Sequence, residues 1–310
     1  MNRNLDWQHR AGCARAVMSE SFSHGMGKMG RVEPRLAQAL QDILTHPGSL
    51  VRAVASYQVG LEMGLDEKAA RSIGCGIEYL HTASLIFDDF PAMDNAHMRR
   101  GSFCPHVVHG EATATLAALA LINRGYALLW QGIQYGTLRR RLTAAKWIDA
   151  RLGAHGVIGG QAWDLQGWPN DQTAAEVSRV AARKTGDLLR LAIVLPAIAG
   201  NGSKREIQLL DRLALLRGLA YQAADDLKDV LFHEGQTGKT GSRDVALGRP
   251  SLVTAEGVEP ASQRFKRLVL AGDRVQKAMP GPDGRWQLLD ILRVPLFPVK
   301  PQEQAFSAVV

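Results

Sequence analysis

The chain has 310 residues, 46% of them apolar, with a net charge of +7 and a pI near 9.5. That is long enough for one large domain, and the composition is ordinary for a folded globular protein, which excludes a disordered or fibrous chain. The basic residues are dispersed and not interleaved with aromatics, so nucleic-acid binding is not expected; an anionic small-molecule substrate accounts for the positive field.

Residues 1–31 show no sustained period and end in Ser-His-Gly-Met-Gly-Lys-Met-Gly, which predicts a mobile or loosely docked tail. Residues 32–310 are expected to form a single all-helical domain. Leu36, Leu40 and Leu44 repeat every four positions from Val32, an amphipathic helix that His46-Pro47-Gly48 stops. A second helix runs from about Ser49 to Met63. A long one follows from Asp66, a fair N-cap, to about Phe90. On it His81 lies about 20° from Asp88, two turns away, with Ser84 between. Pro91 disrupts this helix and lets Asp94 swing back toward Asp88 and Asp89.

Ala112 to about Trp130 is Ala/Leu-rich and is expected to be buried on most sides. Further helices are expected at 139–168, 172–200, 203–233 and 259–279, and irregular chain from Pro280. No stretch alternates like a strand, so the fold class is all-α. Cys13, Cys75 and Cys104 form no CxxC pair, which suggests a reducing, cytoplasmic compartment. No uncharged apolar run of 18 residues exists, so no transmembrane segment is expected.

Two acidic motifs carry the chemistry. The first places Asp88, Asp89 and Asp94 directly ahead of Arg99 and Arg100. Carboxylate oxygens suit Mg²⁺, which binds through a few carboxylates plus substrate phosphates, and arginines clamp phosphate oxygens. Taken alone, the stretch also reads as a solvated helix end. The second motif is Asp225-Asp226-Leu227-Lys228-Asp229, with Asp225 and Asp229 on one helix face and Asp226 about 100° away. Taken alone it also reads as a solvated acidic face. The flanking Leu216, Leu219, Ala220 and Leu227 argue instead for a largely buried helix, where paired carboxylates need a compensating cation and a metal is the best candidate.

With His-Thr-Ala-Ser-Leu-Ile ahead of the first motif, Gly-Glu-Ala-Thr-Ala at 110–114, Gly-Gln-Ala-Trp-Asp-Leu at 160–165, Lys-Thr-Gly at 184–186 and Tyr-Gln-Ala-Ala-Asp-Asp at 221–226, the chain resembles the trans-polyprenyl diphosphate synthases from about Gly48 to Leu252. Each motif alone is weak; their order and spacing together are specific. The resemblance implies the isoprenoid synthase fold, a single helical bundle around a central cavity, and a homodimer. It implies head-to-tail condensation of isopentenyl diphosphate with an allylic diphosphate. Three Mg²⁺ ions would be held by Asp88, Asp89, Asp94, Asp225, Asp226 and Asp229. Arg99, Lys184, Thr185 and Lys239 match contacts to the allylic diphosphate. Gln161, Asp164 and Gln222 match polar groups near the reacting allyl carbons.

For isopentenyl diphosphate the resemblance implies Arg52, His81 and Arg100. Here the chain departs from the family, which has Lys-Arg where this sequence has Ser49-Leu50. The loss of one charge-assisted contact weakens binding by roughly tenfold to a hundredfold. Phe87 stands at a frequent histidine, and Arg249 at a usual lysine. Ala83 and Ser84, small where farnesyl-making relatives carry aromatics, imply a C20 product, geranylgeranyl diphosphate. The alternatives are a farnesyl diphosphate synthase, a class I terpene synthase of the same fold, and a non-catalytic partner subunit of a heteromeric synthase.

Overall fold

The computed structural model describes residues 3–166, 172–231 and 248–297. Its architecture is a helical bundle whose centre is α10 (Asp187–Ala199), buried along its whole length. Around it pack α3 (Val51–Glu62), α4 (Glu67–Asp88), α7 (Leu138–Leu152) and α11 (Lys204–Leu231). The unbroken apolar run Leu191–Ala199 explains the position, since that part of the helix has no polar face, while Asp187 and Arg190 in its first turn are ion-paired. Pro196 is accommodated within its last turn.

The predicted helices are present, with ends set by local chemistry. Asp66 caps α4 by accepting from Ala69 N at 2.7 Å, and Glu33 caps α2 (Pro34–Leu44). Ser203 and Glu206 bond reciprocally at the start of α11, a capping box. The helix expected over 139–168 is two, α7 and α8 (Val157–Leu165), separated where Gly153 and Gly156 end one and begin the other. The stretch expected as one helix from 172 is α9 (Ala174–Ala181), a π-turn at Ala182–Gly186, then α10. Among the described residues past Pro280, which end at 297, the chain is irregular except for a 3₁₀ turn, Gln287–Leu292, that buries Leu288, Leu289 and Leu292.

Three findings depart from expectation. Residues 3–24 form helix α1 (Arg3–His24), where a loosely docked tail was expected. Ala14, Met18 and Phe22, spaced by four, are buried, and Tyr79 donates from its hydroxyl to Phe22 O at 2.7 Å. Next, α6 (Glu111–Ile133) is not enclosed on most sides. Its small residues Ala117, Ala118 and Gly125 lie against α4, but Leu116, Leu119, Tyr126 and Trp130 are 45–56% exposed. Finally, α6 is long and apolar enough to cross a membrane by length and composition, with mean hydropathy 1.3 over an 18-residue window, 39% of it buried. The sequence reading expected no transmembrane segment, because no uncharged apolar run of 18 residues exists. Among the described residues the only strands are two-residue pieces at Met98–Arg99 and Ser102–Phe103.

Candidate active site

The site is built at the C-terminal end of α4. The helix ends at Asp88, and the chain folds back over it: Asp94 N donates to Asp88 O, Asn95 N to Phe90 O and Ala96 N to Asp89 O, at 2.9–3.0 Å. This return brings Asp94 to Asp88, as the Pro91 break predicts. The short hairpin β1–β2 then turns on Arg100 and Gly101, both with positive φ, the requirement of a two-residue primed turn. Arg100 holds this conformation against the usual steric cost of a left-handed non-glycine residue.

That turn sends the two arginines opposite ways. Arg99 grips Asp89, with Nε 2.8 and 2.7 Å from the two carboxylate oxygens and Nη2 2.6 Å from Oδ1. Asp89 is 1% exposed, so this pair is a buried, neutralised unit. Arg100 instead lies against Gly48, where a Cβ would overlap its Nη1; Gly48 has a positive φ as well. Arg100 thereby joins Arg52 and His81, whose Nη1 and Nε2 stand 3.1 Å apart. Burial, then Arg52 and Arg100, hold His81 well below its ordinary value. Behind them the Glu78 carboxylate, 3% exposed, accepts from Ala53 N at 3.3 Å. Burial raises its pKa against the pull of Arg52. Leu50, at the family arginine position, is a buried core residue in the left-handed region, while Ser49 is exposed.

The acidic half is joined across the cavity by two cations. Lys184, on the π-turn, forms a salt bridge with Asp164 of α8. Gly160 makes that approach possible, since a Cβ there would overlap the backbone of Lys184. Arg249 donates to Asp94 Oδ1 at 2.6 Å, to Asp164 O at 3.2 Å and to Met93 O at 3.3 Å. Asp88 receives no such partner among the described residues. Burial pushes its carboxyl up to about 6, Lys184 opposing and Asp94 adding repulsion. The sequence reading registered Arg249 only as a replaced lysine. Its bridging of three segments is visible only in the fold.

On α11, Gln222 Oε1 accepts from the Thr185 hydroxyl at 3.0 Å, and its Nε2 donates to Asp226 Oδ1 at 2.9 Å. Asp226 is 2% exposed and also accepts from Leu252 N at 2.8 Å. Asp225 and Asp229 are half-buried on the adjoining face. Lys239 lies outside the described residues. Gln161 Nε2 and Arg52 Nε are buried without a hydrogen-bond partner among the described residues. Of the two chain-length residues, Ser84 is half-buried, turning its hydroxyl onto His81 O. Ala83 is wholly buried, in a cluster with Ala114, Ala117 and Leu121 of α6.

These groups fit magnesium. The donors are carboxylate oxygens, the ligand type a hard cation takes. Asp88, held up near 6 by burial and by the neighbouring Asp94, is the group a cation would relieve. Among the described residues no three such groups already stand together as a finished metal site.

An all-helical bundle with acidic groups on two helices and a basic cluster beside one of them is the arrangement of the isoprenoid synthases. The chain belongs to the polyprenyl synthetase family, whose model matches residues 33–278. It is 34% identical over 246 residues to geranylgeranyl pyrophosphate synthase 10, mitochondrial, of Arabidopsis thaliana, covering 76% of this chain and 70% of that protein. To geranylgeranyl pyrophosphate synthase 12, chloroplastic, of the same plant it is 31% identical over 274 residues, covering 86% and 76%. Among solved structures it resembles a geranyltransferase from Helicobacter pylori complexed with magnesium and isoprenyl diphosphate. That likeness has a TM-score of 0.77 at 23% identity, over 94% of this chain and 96% of the other.

Proposed function

We propose that the chain is a Mg²⁺-dependent head-to-tail prenyltransferase that joins isopentenyl diphosphate to an allylic diphosphate and forms geranylgeranyl diphosphate. The observation that carries this reading is the division of charge along one face of α4. Asp88, with Asp94 folded back on it, ends the face, and His81 sits two turns earlier with Arg52 and Arg100 around it. Two diphosphates can then be held by different means, one through metal and one through guanidinium and imidazole groups.

Magnesium, when bound, neutralises charge on the departing diphosphate. The chain's own contribution is cationic: Lys184 and Arg249 are anchored by Asp164 and Asp94 at the place where that charge develops. Breaking the allylic C–O bond leaves a carbocation. The double bond of isopentenyl diphosphate attacks it to form the new C–C bond, and the proton lost next goes to the released pyrophosphate. Arg52, His81 and Arg100 orient the second substrate, a positioning role.

A C20 product is supported by the small Ser84, on the face of Asp88 and His81, and by the names of the plant relatives. A homodimer is supported by the open stripe of Leu116, Leu119, Tyr126 and Trp130 on α6. The test is incubation with Mg²⁺, isopentenyl diphosphate and each of the C5, C10 and C15 allylic diphosphates. The expected result is C20 diphosphate from every starter. Absence of elongation with all three overturns the reading. Pyrophosphate release without elongation establishes the competing one, a terpene synthase, which Ser49 and the buried Leu50 favour.

A further inference from the structure

We propose that Asp226 is a positioning residue and not a magnesium ligand, and that it acts through Arg249. The inference rests on the magnesium reading above and separates Asp226 from Asp225 and Asp229 by its burial and by the two groups it accepts from. Asp226 faces inward, 2% exposed, with one oxygen on Gln222 Nε2 at 2.9 Å and the other on Leu252 N at 2.8 Å. The two accepted hydrogen bonds replace the water that this carboxylate gave up on burial. Its neighbours Asp225 and Asp229 stand on the half-exposed face, about 100° and 60° of helix away.

The Leu252 amide is the important partner. It lies three residues beyond Arg249, and the intervening Ser251 amide is held by Gln172 Oε1 at 3.2 Å. The two bonds pin residues 251 and 252, and Pro250 limits the backbone freedom of the residue before it. Arg249 is thus delivered, 9% exposed, to Asp94, Met93 O and Asp164 O. The other oxygen of Asp226 works in parallel. Through Gln222 it fixes Thr185, the residue next to Lys184, and Lys184 holds Asp164. Both routes from Asp226 reach Asp164, one at its backbone oxygen through Arg249 and the other at its carboxylate through Lys184, and the first also reaches the Asp94 carboxylate.

The test compares Asp226→Asn, Asp226→Ala, Arg249→Ala, the Asp226→Ala/Arg249→Ala double variant and, as control, Asp225→Asn. Binding of inorganic pyrophosphate with Mg²⁺ is followed by calorimetry, and unfolding of the ligand-free proteins is followed by Tm. Asparagine can still accept from Leu252 N. Its amide can donate to Gln222 once that side chain flips, with the Thr185 hydroxyl turning to suit. Asp226→Asn is therefore expected to bind pyrophosphate within about threefold of wild type, the cost of a modest change in hydrogen bonding. Asp226→Ala and Arg249→Ala are each expected to lose about tenfold to a hundredfold, as partners behind a metal site do. The double variant should be no worse than the poorer single one, in binding and in Tm.

A folded Asp226→Asn as defective as Asp225→Asn overturns the proposal, and so does additivity of the alanine variants. Should Asp226→Ala fail to fold, the asparagine variant still decides. Undiminished magnesium-dependent binding by Asp225→Asn overturns the magnesium reading instead. The coupling of Asp226 to Arg249 then stands on the Tm cycle, which needs no metal.

Discussion

Arg52 brings Nη1 to 3.1 Å from Nε2 of His81, so that an obligate donor faces the imidazole and the ring nitrogen must accept. Arginine cannot be deprotonated at working pH, and His81 is therefore neutral, its proton on Nδ1. An empty anion pocket with three basic groups is self-repelling, and leaving one of them uncharged relieves it.

A pH dependence follows. The folded-state value of His81 lies below its unfolded value near 6.5, so the unfolded chain binds more protons below that pH. Stability from this group is present above about pH 6.5 and lost as pH falls toward the folded value. The Tm drop between pH 7.5 and 5.5 should be smaller for His81→Gln than for wild type. An equal drop in the two proteins refutes the assignment.

Asp88 behaves in the opposite sense. Its folded value of about 6 stands above the ordinary 3.8, so its charged form strains the fold, increasingly as pH rises from about 4 to 6. Asp88→Asn should raise stability at pH 8 by on the order of 1 kcal/mol, allowing for solvent screening of a half-buried group. It should give no gain at pH 4. The same variant should lose turnover. Wild-type-like turnover at saturating Mg²⁺ would remove Asp88 from the site.

At the basic pocket, Gly48→Ala should raise the KM for isopentenyl diphosphate with little change in kcat. The new methyl displaces Arg100 and strains a positive φ, and a contact made equally in ground and transition states affects KM alone. Ser49→Lys, on the exposed neighbour, should lower the same KM. Steady-state kinetics with the second substrate varied reads both.

Chain length separates two adjacent residues. Ser84 shares the face of Asp88 and His81, whereas Ala83 is enclosed among α6 residues. Ser84→Phe should shorten the product from C20 to C15 with turnover largely kept. Ala83→Phe should overpack the core and lower stability by about 1–3 kcal/mol. Product chromatography and Tm together decide, and C20 from a folded Ser84→Phe protein places the floor elsewhere.

Much of the site was legible before any coordinates because its signals are local. Asp66 announces the start of α4 and Pro91 its end. Seven residues put His81 and Asp88 on one face through helix geometry alone. The helix α1 was legible too, in the four-residue spacing of Ala14, Met18 and Phe22, although the glycines behind it drew the reading toward a tail. Family motifs then located the substrate-binding residues by order and spacing.

What the sequence by itself determined, then, is the helical class, the two acidic motifs and the face of α4 that carries the first. Those depend on periods, caps and breaks within a few turns of chain. Only the tertiary structure decided which charges neutralise one another. Arg249 meets Asp94 across 155 positions, Asp226 turns inward to Leu252 rather than outward with Asp225, and Arg99 is spent on Asp89. An ion pair between distant segments is set by how α4, α8 and α11 pack together, and no local pattern encodes that distance. The same holds for the open face of α6, whose residues read as core until α4 is seen to cover only one side.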